Sequence, residues 1–252
     1  MNNYVVIDLE MCKTYKSIAN SKMNYKQELI QIGAVSLDEN YDVIDSFATY
    51  VSPEFGTVDG YIKQLTGISK EDTKNAPSSK DALESFVSWL PEDAKIVTWS
   101  RNDEKQIKNE LQRKNFDIPE LRETFGTWTD CQQMFGNKLN TNKKYKLSEA
   151  LSIADICYDD GAHDALIDAR NTARLFAKIQ SEEELKLSPY FIMDIVGENY
   201  DMKRKRENEE RQLLSSKKHG DTSVLHRNKQ DVCVPNVAPP QGVCGRDFRG
   251  CP

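Results

Sequence analysis

The sequence has no apolar run near the ~20 residues that cross a bilayer, so no membrane-spanning segment is expected. Its first residues show no basic stretch followed by an apolar core. Export through a secretory signal is therefore not expected, and a cytoplasmic location is. Cysteine is sparse, with six in 252 residues, and Cys12, Cys131 and Cys157 are scattered without paired spacing. That argues against a disulfide framework and suits reduced thiols. His226, Cys233, Cys244 and Cys251 stand seven, eleven and seven positions apart, which matches no compact zinc knuckle. Positive charge is also short, the formal net charge being −6. Residues 201–252 hold 11 Lys and Arg against 7 acids, which leaves −10 for residues 1–200. A protein that coats duplex nucleic acid with a broad basic face is not expected from that balance. An enzyme that captures one strand end needs few phosphate contacts and is not excluded.

What is present begins at Tyr4-Val-Val-Ile-Asp-Leu-Glu10, a β-branched apolar run carrying two acids at i and i+2. Strand side chains alternate, so Val6, Asp8 and Glu10 share one face and Val5, Ile7 and Leu9 the other. Two like charges side by side on an apolar strand call for a positive counterpart, and hard oxygen ligands suit a divalent metal. Solvated acids at a strand end are the plainer alternative. Asp103 follows the apolar strand Lys95–Trp99 and precedes Ile107 by four residues, which puts it at the start of a helix on the buried side. A capping aspartate is the alternative there. Further on, Leu166, Ala169, Ala173 and Phe176 form a helical stripe, with Asp168 beside it in the first turns. His163, one of only three histidines, precedes Asp168 by five positions.

Asp8-x-Glu10, then Asp103, then His163-x4-Asp168 resembles the DEDDh 3′–5′ exonucleases, the DnaQ-like enzymes on a ribonuclease-H-like fold. The likeness is nearer to the Eri-type and KapD-like exonucleases. Leu29-Ile-Gln-Ile-Gly-Ala-Val35 resembles that family's second strand. Leu65-Thr-Gly-Ile68 and Asn75-Ala-Pro77 resemble its substrate-side loop, and Ala169–Ala173 the end of its third motif. The resemblance covers roughly residues 1–180. It implies an α/β fold with a mixed central sheet flanked by helices. It also implies an exonuclease domain over 1–180, to which the sequence adds a charged helical extension over 181–219 and a disordered tail over 220–252, where period is lost. The basic run Lys203–Arg206 falls in that extension.

The pattern along the chain agrees. Strands are expected at Tyr4–Glu10, Leu29–Leu37, Val43–Val51, Lys95–Trp99 and Thr127–Thr129, the second and third as a hairpin through Asp38–Tyr41. Helices are expected at Tyr61–Leu65, Ser79–Leu90, Asp103–Lys114, from Asp130, and over Leu147–Ala154 and Ala165–Ile179.

Four carboxylates in one pocket would bring about four negative charges together, and two divalent ions would offset them and clamp a phosphodiester. Mg²⁺ fits the oxygen ligands of Asp8, Glu10, Asp103 and Asp168, with Mn²⁺ a plausible substitute. The resemblance makes His163 the general base, although chemistry alone also admits it as a ligand. The resemblance places the terminal nucleotide against the backbone at Met11 and Cys12, with Leu65 wedging its base or else packing in the core. Lys13 and Lys16 are candidate phosphate contacts or plain surface lysines. The implied substrate is a free 3′ end of single-stranded RNA or DNA, with the Eri-type likeness leaning towards RNA, and the implied product is a nucleoside 5′-monophosphate. A KapD-like regulator that binds a partner, or an exonuclease accessory to a DNA polymerase, are the competing functions.

Overall fold

The computed structural model describes residues 3–22, 24–159, 163–192 and 208–209. In chain order the elements are β1 (Tyr4–Lys13), α1 (Lys16–Ala19), β2 (Gln27–Leu37), β3 (Val43–Tyr50), α2 (Gly60–Thr66), α3 (Lys70–Lys74) and α4 (Ser79–Trp89). There follow β4 (Lys95–Thr98), α5 (Asn102–Lys114), α6 (Pro119–Thr124), β5 (Thr129–Asp130), α7 (Cys131–Lys138), α8 (Leu147–Ile153) and α9 (Ala165–Ser181). The sheet runs in the order β3-β2-β1-β4-β5. The β1–β2–β3 part is antiparallel, and β4 and β5 are added parallel. This is the mixed α/β sheet with flanking helices that the sequence predicts.

Alternation on β1 decides the two cores. Val5, Ile7 and Leu9 pack with Leu29, Ile32, Leu83, Phe86, Ile107 and Trp128 on one side of the sheet. Val6 packs with Val35, Val97, Phe135, Leu151 and Phe176 on the other. Asp8 and Glu10 continue the Val6 face, so the strand's own period aims both acids towards α9. Strand β1 extends three residues beyond the predicted Glu10, with a bulge between Glu10 and Met11. The hairpin turn is built by Asp38, whose Oδ1 accepts from the N–H groups of Asn40 and Asp42, with Tyr41 in the left-handed region.

Two expectations shift. The strand predicted at Thr127–Thr129 is instead Thr129–Asp130, because the Thr127 N–H closes a turn onto the Thr124 carbonyl at 3.1 Å and only Thr129 and Asp130 pair with β4. The capping alternative for Asp103 also fails. Arg101 occupies the N-cap of α5, and Asp103 sits buried in the first turn. Asp130 does cap α7, accepting from the N–H of Gln133.

Beyond α9 the chain stays on this body. The Ser188 N–H donates to the Ile153 carbonyl at 2.8 Å, and Leu185, Leu187 and Phe191 pack against the second core. The described residues from 3 to 192 form one compact unit. The tail expected over 220–252, the Lys203–Arg206 run and the residues His226, Cys233, Cys244 and Cys251 lie outside the described residues. Among the described residues, no helix is long and apolar enough to cross a membrane.

Candidate active site

Three elements converge on one point. Strand β1 brings Asp8 and Glu10, the first turn of α5 brings Asp103, and the first turn of α9 brings Asp168. Glu10, Asp103 and Asp168 are each more than nine-tenths buried, and Asp8 is half-buried. Among the described residues, no Lys or Arg forms an ion pair with any of the four.

Electrostatics follow from that crowding. Burial pushes the Asp8 carboxyl well above the usual carboxylate range, and the charges of Asp103, Asp168 and Glu10 push it further. Burial, then repulsion from Asp168 and Asp103, lifts Glu10 to about 8. Asp103 rises to about 6 through burial, held down by the Thr98 hydroxyl that donates to its Oδ2 at 2.5 Å and by the Leu9 N–H. Asp168 is raised by burial and opposed by the Tyr158 hydroxyl, which donates to its Oδ1, and by the His163 N–H, which donates to its Oδ2 at 3.2 Å.

At neutral pH Glu10, lifted to about 8, keeps its proton unless a cation takes its place. Hard oxygen donors from three elements fit a divalent metal of the Mg²⁺ or Mn²⁺ kind. One ligand atom each of Glu10, Asp168 and His163 lies within 4.8 Å of the others. His163 is exposed and has φ 67°, a left-handed backbone that turns it over the carboxylates just before α9.

Several residues that the sequence left unassigned position these groups. Gly33 pairs directly with Asp8 across the sheet. A Cβ on Gly33 would stand 2.1 Å from the Leu166 nitrogen and 2.2 Å from the Ala165 carbonyl carbon, so its absence lets the start of α9 lie on Asp8's neighbour strand. Gln31, the cross-strand partner of Glu10, donates from Nε2 to Asp164 at 3.0 Å and accepts the Ala165 N–H on Oε1 at 3.1 Å. Asp164 in turn caps α9, accepting from Leu166 and Ile167. Glycine inside an apolar strand was the one signal that could have flagged Gly33.

Helix α5 is anchored by a buried charge cluster. Lys114 pairs with Glu28 at 2.6 Å and Glu110 at 3.1 Å. Glu110 also accepts the Leu29 N–H and the Tyr25 hydroxyl. The Glu28 carboxylate accepts the N–H groups of Glu54 and Phe55. This ties α5, and with it Asp103, to β2 and thereby to the strand that bears Glu10.

The sequence-predicted substrate contacts separate. Met11 is partly buried against the first core. The Cys12 side chain is buried with Ile30, Val58, Ile62 and Ile68, which leaves its backbone for any contact. Leu65 is 37 % exposed on α2, so core packing is not its role. Lys13 is exposed at the end of β1, with its ammonium 5.6 Å from the Tyr61 ring centre. Lys16 is exposed on α1.

Residues 5–176 match the family RNase T, described as exonuclease. The chain is 28% identical over 203 residues to ERI1 exoribonuclease 2 of Danio rerio, covering 71% of this chain and 35% of that protein. It is 27% identical over 205 residues to DNA polymerase III subunit epsilon of Aquifex aeolicus, covering 80% and 88% of the two. The chain thus spans about a third of the length of the zebrafish relative, and less of the Xenopus laevis one, of which 25% is covered. Among solved structures, the nuclease domain of 3′hExo bound to rAMP superposes with a TM-score of 0.61 at 22% identity, over 74% of this chain and 96% of that one. Exonuclease I of E. coli with a dT13 oligonucleotide superposes with a TM-score of 0.54 at 15% identity, over 72% and 41%. Those likenesses show the shared fold.

Proposed function

Because the chain belongs to the RNase T exonuclease family, we propose that it is a divalent-metal-dependent 3′–5′ exonuclease acting on single-stranded nucleic acid, with RNA preferred over DNA. The observation that carries this reading is the convergence of Asp8, Glu10, Asp103 and Asp168 beside His163, with no Lys or Arg paired to any of the four among the described residues.

The four carboxylates would hold two Mg²⁺ ions, or Mn²⁺ in their place. When bound, such ions supply charge neutralisation of the phosphodiester and a lower pKa for the attacking water. The chain's own groups do the rest. His163 takes the proton of the water on a ring nitrogen as the new P–O bond forms. The bond from phosphorus to the 3′ oxygen of the preceding nucleotide breaks, that oxygen takes a proton from solvent, and a nucleoside 5′-monophosphate leaves. Thr98 holds the Asp103 carboxylate in place, and Gln31 with Gly33 sets the height of α9 and so of Asp168. Met11 and Cys12 offer backbone to the terminal nucleotide, and the exposed Leu65 offers an apolar edge to its base.

The preference for RNA is supported by the exoribonuclease relatives and by the fold shared with a nuclease domain that binds rAMP. A DNA exonuclease is the second reading, favoured by the epsilon-subunit match, which spans most of both chains. Parallel digestion of the same sequence as RNA and as DNA decides between them. A faster rate on RNA supports the first reading, and a faster rate on DNA the second.

A further inference from the structure

A cleft of about 600 Å³ opens beside Asp8 and Asp168, and neither Met11 nor Leu65 lines it. It is lined by Asp8, Asp168 and His163 together with Lys144–Ser148, Trp99 and Asn102. A second hollow of about 290 Å³ shares Gln132 and Lys144 with the first and adds Arg101 and Lys143. The two hollows adjoin at these shared residues, and the segment Asn140–Lys146 borders both. That segment carries three lysines in a chain whose net charge is negative.

The segment is built to hold its shape. The Thr141 N–H donates to the Gly136 carbonyl at 3.0 Å, and a Cβ on Gly136 would stand 2.9 Å from the Thr141 oxygen, so the loop lies directly on α7. Gln132 Nε2 donates to the Tyr145 carbonyl at 2.7 Å, and the Lys146 N–H donates to Glu149 at 3.0 Å. Tyr145 is buried edge-on against Phe135, while Lys144 and Lys146 on either side of it are exposed. Among the described residues, no ion pair engages Lys143, Lys144 or Lys146. The one acid lining the second hollow, Asp130, is occupied in capping α7. Lys143 sets its ammonium 4.7 Å from the Tyr145 ring centre, while the ammonium groups of Lys144 and Lys146, on an anchored loop beside an acidic site, serve an anionic polymer better than they serve the fold.

We propose that Lys144 and Lys146, continued by Lys143 and Arg101, form a phosphate-tracking ledge for the part of the single strand on the 5′ side of the cleaved nucleotide. The proposal rests on the exonuclease reading for its direction. With the terminal nucleotide at Met11 and Leu65 and the scissile phosphate at the carboxylates, the rest of the strand takes this cleft, which Asp8, Asp168 and His163 line and Met11 and Leu65 do not. Each lysine–phosphate contact on a single strand contributes about 0.7 to the slope of log K against log salt. Two contacts give about 1.4, equivalent to about 25-fold in affinity at 0.1 M salt.

The test is the double variant Lys144→Gln/Lys146→Gln, whose exposed side chains can change with little effect on folding. Binding of a 5′-fluorescein decamer is read by anisotropy in EDTA across a salt series, and cleavage of a decamer and a dinucleotide is read with Mn²⁺. The ledge predicts a salt slope lower by about 1.4, a decamer KM raised by about 25-fold at 0.1 M salt, and little change in kcat or in the dinucleotide KM. An unchanged slope and decamer KM overturn it. So does an equal loss of kcat on both substrates, which would place the lysines at the reacting centre. If the slope falls in the variant while the wild type cleaves neither RNA nor DNA, the ledge stands as a binding surface and the exonuclease reading falls instead.

Discussion

Replacing Glu10 by Gln is expected to stabilise the metal-free protein, and to do so mainly at the alkaline end of its range. Burial and the neighbouring carboxylates lift Glu10 from 4.5 to about 8, so the folded protein keeps a proton that the unfolded chain has already lost. A group whose folded pKa is raised in this way binds more protons in the folded state. Stability therefore falls as pH rises through the window from about 4.5 to about 8. Single-site linkage between pH 5 and pH 8 gives about 3–4 kcal/mol, a ceiling because Glu10 shares its repulsion with Asp168 and Asp103. Glutamine keeps the shape and removes the charge. In a body of this size each kcal/mol moves Tm by about 2–4 °C, so the gap between variant and wild type should widen by up to about 7–14 °C over that range. Thermal unfolding followed by circular dichroism in EDTA at pH 5, 6.5 and 8 measures it. Adding Mn²⁺ at pH 8 should raise the wild type more than the variant. A gap of the same size at pH 5 and pH 8, or a variant less stable than wild type at pH 8, would refute the crowded-carboxylate picture.

Other substitutions probe single links. Asp8→Ala, Asp103→Ala and Asp168→Ala should each abolish metal-dependent cleavage while leaving a cooperative unfolding transition, because removing one of several crowded like charges relieves repulsion; a folded Asp103→Ala protein with full activity would make Asp103 a merely structural residue. His163→Ala should lower turnover by about 10²–10⁴-fold with metal affinity by calorimetric titration little changed, and loss of metal would make His163 a ligand rather than the base. Gly33→Ala should destabilise by about 1–3 kcal/mol in denaturant unfolding and reduce activity further than that loss explains, since the new methyl displaces the start of α9; wild-type activity would show that α9 need not lie so close. Lys114→Met should cost about 3–5 kcal/mol by the same measurement, because Glu28 and Glu110 are left buried with their charges unpaired.

Much of the fold was legible because its signals are local. The alternation of Val5, Val6, Ile7 and Leu9 fixed β1 and its two faces, and the stripe Leu166–Ala169–Ala173–Phe176 fixed α9. The same alternation put Asp8 and Glu10 on one face, while the grouping of Asp8, Glu10, Asp103 and Asp168 with His163 came from the resemblance of their order to the DEDDh exonucleases. Helices α1, α3 and α6 were not foreseen. They span four to six residues, too short to show a stripe, and α3 depends on Ser69 and Asp72 bonding across its first turn. Gln31, Thr98 and Tyr158 gave no signal, because each acts through a partner from five to 133 positions away. The Glu110–Lys114 pair reads in sequence as an ordinary i,i+4 surface pair. Only the packing of α5 on β2 turns it into a buried cluster with Glu28.

The central claim is a metal-dependent exonuclease that works from the 3′ end. Its most direct test is digestion of a 5′-labelled single-stranded oligonucleotide, as RNA and as DNA, with Mg²⁺, with Mn²⁺ and with EDTA, and with the released products identified by chromatography. The account predicts a ladder that shortens from the 3′ end, nucleoside 5′-monophosphates as the only small product, and no reaction in EDTA. Internal cuts, release from the 5′ end, nucleoside 3′-monophosphates, or equal activity in EDTA would contradict it.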